Sequence, residues 1–210
     1  TKALEIAKLT KDSSDPENGK FERNEKTGEL TGICKEDADY IFIPGIGKKE
    51  SLIPLPTKEE CEMAIQVVSQ KYAKAGITSV GEALTSPLEI KAFQRALQDG
   101  KLPLRVYMMI HENYLSLLKE LGLRTGFGND KLKIGPIKTF IDGAISARTA
   151  YLYEPYEGRP DDYGIVTKNQ EELEKVFFEA HKAGFQIAVL ENGNKAIDMV
   201  LIIFPRGLAG

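Results

Sequence analysis

From Thr57 onward the chain alternates amphipathic stretches with short, nearly unbroken apolar runs, and glycines punctuate the changes. Thr57-Lys-Glu-Glu60 has the pattern of a capping box and opens a helix that runs to about Ala75, where Gly76 stops it. Ile77–Val80 follows as a short buried strand. Ser86-Pro87 starts a second helix, with proline at its favoured first position, running to Asp99 before Gly100. Leu104–Ile110 is an apolar strand broken by Arg105, and a helix from about Asn113 to Leu121 is closed by Gly122. Leu132–Ile141 is a third strand. Asn169-Gln-Glu-Glu172 opens a helix that ends at Gly184, Phe185–Leu190 is a fourth strand, and a last helix starts near Asn194–Ile203. Helices alternating with short, nearly unbroken apolar strands specify an α/β fold of parallel βα units.

The first 56 residues have a different texture. Residues 1–9 space their apolar groups as a helix does. Asp15-Pro16-Glu17-Asn18-Gly19 is turn-forming, and Lys20–Arg23 and Glu29–Cys34 flank Asn24–Gly28 as the arms of a hairpin. Residues 35–56 are irregular and end at Pro54-Leu55-Pro56. The expected division is therefore a hairpin-bearing insertion over 1–56 and about four βα units over 57–210. A complete (β/α)8 barrel needs eight strands and usually about 250 residues. Four strands amount to part of a barrel, and a small open parallel sheet would give the same pattern.

Composition narrows the function classes. The chain is 42% hydrophobic and 28% charged, which is globular, and its net charge of −3 comes without a basic block. Nucleic acid is thereby excluded as the main partner. No apolar run approaches a membrane span. Cys34 and Cys61 have no metal-site spacing and read as reduced thiols of a cytoplasmic protein. Because the chain starts at Thr1 rather than Met, the expectation is that its true N-terminus lies upstream.

The chemistry concentrates in Ile137–Ala150. Lys138 sits inside an apolar strand, where an ammonium must be neutralised, be ligated, or reach water along its stem. Asp142 ends that strand and can orient a water or hold a loop by accepting backbone N–H groups. Arg148 can grip a substrate carboxylate with its planar fork, or simply pair with Asp142. Glu82 and His111 follow earlier strands, on the side where barrel enzymes keep their sites. His181 reads as a solvated helix residue. Gly126, Gly128 and Gly143 read as positions that permit unusual backbone angles. Tyr151, Tyr153, Tyr156 and Tyr163 form a cluster that either walls a cavity or packs with wet hydroxyls.

Seven segments in order carry a family resemblance. They are Gly-Ile-Thr-Ser-Val (76–80), Leu-Pro-Leu-Arg-Val-Tyr (102–107), Gly-Leu-Arg-Thr-Gly-Phe-Gly (122–128), Ile-Lys-Thr-Phe-Ile-Asp-Gly (137–143), Ser-Ala-Arg-Thr-Ala (146–150), Glu-Pro-Tyr (154–156) and Ala-Gly-Phe-Gln-Ile-Ala-Val (183–189). Together the chain resembles the YtcJ-like branch of the amidohydrolase superfamily, amidohydrolase family 3, from Thr1 to about Met199. The resemblance implies part of a TIM (β/α)8 barrel, a divalent metal such as zinc, and hydrolysis of a non-peptide, amide-type C–N bond of a small molecule. It also implies that Lys138 is a metal ligand, carboxylated so that it can bridge cations.

Against the family pattern, the ligand set is thin. No His-x-His occurs, and the fifth-strand position where relatives read Ala-Val-His-x-x-Gly-Asp is Ala188-Val189-Leu190-Glu191-Asn192-Gly193-Asn194. Leucine cannot ligate a metal. The expectation is thus Lys138 as metal ligand, Asp142 as catalytic residue, and Arg148, Glu82 and His111 as substrate-binding residues. The competing expectation is a non-catalytic, truncated barrel fragment that assembles, with itself or with a missing barrel half, but binds no metal.

Overall fold

The computed structural model describes residues 2–43 and 51–207. The part of the expected irregular 35–56 stretch that falls on 44–50 lies outside them. Backbone contacts divide the chain into two compact units: Pro56–Thr139 with Glu174–Val189, and Thr1–Leu55 with Phe140–Leu173 and Leu190–Gly210.

The first unit holds the parallel sheet. Its elements are α2 (Lys58–Lys74), β3 (Ser79–Thr85), α3 (Pro87–Gln98), β4 (Arg105–His111), α4 (Leu115–Glu120), β5 (Leu132–Phe140), most of α5 (Gln170–Lys182) and β6 (Ile187–Leu190). The strands lie in the order β3-β4-β5-β6, with β4 parallel to β3 and to β5. The expected α/β architecture of parallel βα units is what forms, with strand and helix limits shifted by a few residues.

Local chemistry explains the boundaries. Thr57 Oγ1 accepts from the Glu60 N–H at 3.2 Å while the Glu60 carboxylate accepts from the Thr57 N–H at 2.8 Å, closing the capping box. Ser86 and Glu89 repeat it at α3, behind Pro87. At the other end of α2, Gly76 adopts φ +81°, its N–H donates to Ala73 O, and the Ile77 N–H donates to Tyr72 O at 3.0 Å. That pair of bonds uses up carbonyls the helix leaves unpaired, and a left-handed residue is needed to form it. The same pair recurs at Gly100, Gly122 and Gly184. Helices α2 to α5 are therefore closed by the same stop.

Burial on β4 alternates. Val106, Met108 and Ile110 are buried on one face of the sheet, against Phe93 and Ala96 of α3, Leu115 and Leu118 of α4, Ala180 of α5, and Ile134 and Ile137 of β5. Each fully buried side chain of this size contributes about 1.5–3 kcal/mol relative to exposure.

The second unit contains α1 (Lys2–Ile6), the antiparallel hairpin β1 (Gly19–Arg23) and β2 (Leu30–Glu36), and α6 (Asn194–Gly207). Asp15 anchors the hairpin, accepting from the Phe21 N–H at 3.0 Å and from Arg23 at 2.8 Å. Among the described residues no helix is long and apolar enough to cross a membrane.

Among the described residues, β3 and β6 each have one side without a strand partner. Apolar groups are also left in water: Met63, Val67, Val68 and Tyr72 on α2, and Leu201, Ile202 and Phe204 on α6. Open edges and apolar patches favour association. Light scattering on a dilute sample of the 210-residue chain should show dimers or larger species. A monodisperse monomer that unfolds cooperatively would contradict this.

Candidate active site

The strand register sorts the expected site residues. His111 and Lys138 are direct partners across β4 and β5, at the C-terminal ends of the strands. Ile110 and Ile137, paired one position earlier, face the helices, so His111 and Lys138 share the opposite face. His111 is buried and Lys138 half-buried. Glu82 is not with them. It pairs with Met108, on the helix-facing side, where burial and the charge of Glu89 raise its carboxyl above the usual carboxylate range. Leu84 adopts φ +70° within a register break between Glu82 and Thr85, so β3 ends in an irregular turn.

His111 has a local task. Its Nδ1 accepts from the Asn113 N–H at 3.1 Å, capping the short 3-10 turn Glu112–Tyr114. An accepting Nδ1 leaves the proton of a neutral imidazole on Nε2, the reverse of the arrangement in which a ligating histidine donates its other N–H. Just beyond that pair lies a side-chain clasp that sequence reading missed. Thr139, fully buried, donates to Glu112 Oε2 at 2.6 Å and ties the end of β5 to the turn after β4. A lone threonine at the end of an apolar strand, beside a glutamate one place past its neighbour, was the available signal.

Among the described residues no three His, Cys, Asp or Glu side chains come together as a metal-binding group. His111 and Lys138 alone fall short of the three or four ligands of a zinc site. His181 lies exposed on α5, as expected, and Leu190 occupies β6.

Asp142 and Arg148 belong to the second unit. Asp142 is 1% exposed and holds three backbone donors: Tyr151 N–H at 2.8 Å, Asn192 N–H at 2.9 Å and Gly193 N–H at 2.7 Å. It gathers two chain segments onto one carboxylate. Asn192 adds a bond from its amide to Gly143 O at 3.0 Å. Gly143 does not have the unusual backbone angle expected of it. It is glycine for space, because a Cβ there would strike the Glu36 carboxylate and Thr149 Oγ1. Gly126 and Gly128 do have positive φ, +93° and +133°. Arg148 is not paired with Asp142. It is exposed and left-handed, at φ +56° and ψ +44°.

The tyrosines divide. Tyr151 and Tyr153 flank Lys195, whose Nζ is 4.4 Å and 5.8 Å from their ring centres. Tyr156 donates to Ala150 O at 3.0 Å. Tyr163 lines a cavity with Arg148.

Two measurements test this unit. Asp142→Asn keeps the shape but turns one acceptor into a donor facing N–H groups; it should lower the unfolding free energy by about 3 kcal/mol in urea titrations followed by circular dichroism. Asp39 has a buried Oδ1 with no partner among the described residues, and burial, with Glu36 and Asp37 nearby, pushes its carboxyl up to about 6. An acid whose pKa is raised on folding binds more protons folded than unfolded. Its contribution is therefore favourable at low pH and is lost as pH rises from about 4 through 6. Asp39→Asn should flatten the fall in stability across that window.

Comparison with known proteins completes the picture. The model of the family described as "Amidohydrolase family" matches residues 1–206. YtcJ of Bacillus subtilis, which bears an amidohydrolase name, is 25% identical over 204 residues, covering 95% of this chain and 36% of that protein. The N-substituted formamide deformylase of Arthrobacter pascens is 22% identical over 208 residues, covering 95% of this chain and 37% of that protein. The crystal structure of an uncharacterized metal-dependent hydrolase from Pyrococcus horikoshii superposes with a TM-score of 0.71 at 25% identity, covering 98% of this chain and 39% of that one. The chain thus spans little more than a third of the length of the curated relatives it matches. Its parallel βα units form part of the (β/α)8 barrel of such hydrolases, and the chain belongs to the amidohydrolase family.

Proposed function

We propose that this chain is the part of a metal-dependent hydrolase that carries Lys138, acting on a non-peptide, amide-type C–N bond of a small molecule in the cytoplasm. The observation that carries the reading is the family match over residues 1–206. The name of the Arthrobacter relative, a deformylase of N-substituted formamides, supports the C–N bond as the target. In such an enzyme a divalent metal, with zinc the expected ion, would activate water and polarise the scissile carbonyl. The described residues do not complete a site for it. The chain's own groups have narrower roles. Lys138 is offered beside His111 at the strand ends, the Glu112–Thr139 bond fixes that edge, and Asp142 holds the loop that bears Arg148. Glu82, on the helix-facing side of the sheet near Glu89 of α3, is given no part in this site.

A second reading is favoured by a specific observation. On that reading the 210-residue chain by itself is a non-catalytic portion that assembles without metal; the lack of three grouped His, Cys, Asp or Glu side chains among the described residues supports it.

Metal content and turnover separate the two. Dialysed chain should retain well under one equivalent of zinc by elemental analysis and should hydrolyse N-substituted formamides no faster than buffer. One or more retained equivalents, or turnover abolished by Lys138→Ala, would establish a complete site within these residues.

A further inference from the structure

We infer that the cavity beside Arg148 is a binding site for a small organic monocarboxylate. The cavity measures about 420 Å³ and lies wholly within the second unit, between the hairpin and the segment around Tyr163. That volume suits a small molecule.

Three observations single out Arg148. The first is charge pairing. Of the cations on the wall, Arg23 is held by Asp15 at 2.8 Å, Lys35 faces Glu22 at 3.7 Å, Arg159 faces Asp162 at 3.9 Å, and Lys20, a point charge without a fork, lies exposed within electrostatic reach of Asp15. The Arg148 guanidinium has no hydrogen bond or ion pair to a described residue. The second is backbone conformation. A left-handed residue with a side chain is disfavoured by about 1–2 kcal/mol, and glycine would remove that cost. The turn nevertheless imposes it: the Arg148 N–H donates to Ile145 O at 3.0 Å, the Thr149 N–H donates to Ala144 O at 3.1 Å, and Thr149 and Ala150 are fully buried. Fixed neighbours on both sides set the Cα–Cβ direction of Arg148, and its side chain forms part of the cavity wall. The third is the rest of the wall. Glu25 and Asp161 also line the cavity and are exposed, so the space is not a basic basin. A polyanion such as phosphate meets these carboxylates, whereas a single carboxylate can take the two parallel bonds of the guanidinium fork.

The assignment gives a ligand class to the substrate-gripping role of Arg148 and rests on that role. It is read by binding alone, so absent hydrolysis and absent binding are separate results. Saturation-transfer NMR on sodium butyrate mixed with the 210-residue chain tests it, with inorganic phosphate as competitor. Butyrate should show saturable transfer that equimolar phosphate does not displace. Arg148→Lys, which keeps the charge and loses the fork, should weaken binding about tenfold. Arg148→Gly should abolish binding while its melting temperature stays at or above the parent value, because the left-handed strain is gone. Arg105→Lys, remote in sequence and in the other unit, should change nothing. Butyrate binding that survives Arg148→Gly, displacement by phosphate at equal concentration, no saturable transfer, or a glycine variant that fails to fold would each overturn the proposal.

Discussion

The carboxylate of Asp142 is the interaction on which the second unit depends. It is buried, and it collects N–H groups from Tyr151, Asn192 and Gly193. Bonds to a charged acceptor are worth roughly 1.5–3 kcal/mol each, and a buried charge left unsatisfied is costly. The carboxylate therefore stabilises only one arrangement of the loops around it. Two glycines record how tight that arrangement is. A Cβ on Gly193 would meet the Tyr151 backbone, and one on Gly143 would meet Glu36 and Thr149. Asp142 thus sets the path of the chain on both sides of the turn that presents Arg148.

How much of this was legible in the sequence depends on the range of the forces involved. Helix starts and stops are local. The capping box at Thr57, the Ser86-Pro87 start and the stops at Gly76 and Gly100 lie within a few residues of the helices they govern, and all form. Strand order and register are longer in range, yet apolar alternation plus the family resemblance reached the parallel βα arrangement. What stayed hidden is side-chain partnership across the sheet. The Thr139–Glu112 bond joins residues 27 apart in sequence, and Asp142 reaches 50 and 51 residues along the chain to Asn192 and Gly193. No periodicity encodes such pairs. Glu82 shows the same limit. Its position after an apolar run suggested the site face, but strand alternation turned it toward α3.

Family membership and ligand content pull in different directions, and both are physical statements. Membership rests on the order of turns, caps and apolar strands over nearly the whole chain. Ligand content rests on a few side chains, and among the described residues no three His, Cys, Asp or Glu side chains come together. A fold tolerates many different side chains at a strand position because what it needs there is packing. A cation does not, because it needs lone pairs at fixed positions.

The strands of the parallel sheet hydrogen-bond in the order in which they are made, β3 to β4 to β5 to β6. For β3 with β4 and β4 with β5, pairing closes a loop of only about two dozen residues, a modest entropic demand that grows slowly with length. Parallel pairing must wait for a crossover to close, which makes such sheets slower to form than helices, and pairing strands that are neighbours in sequence keeps that delay as small as the architecture allows. The sheet can therefore grow by accretion, one strand against the last, as the chain leaves the ribosome.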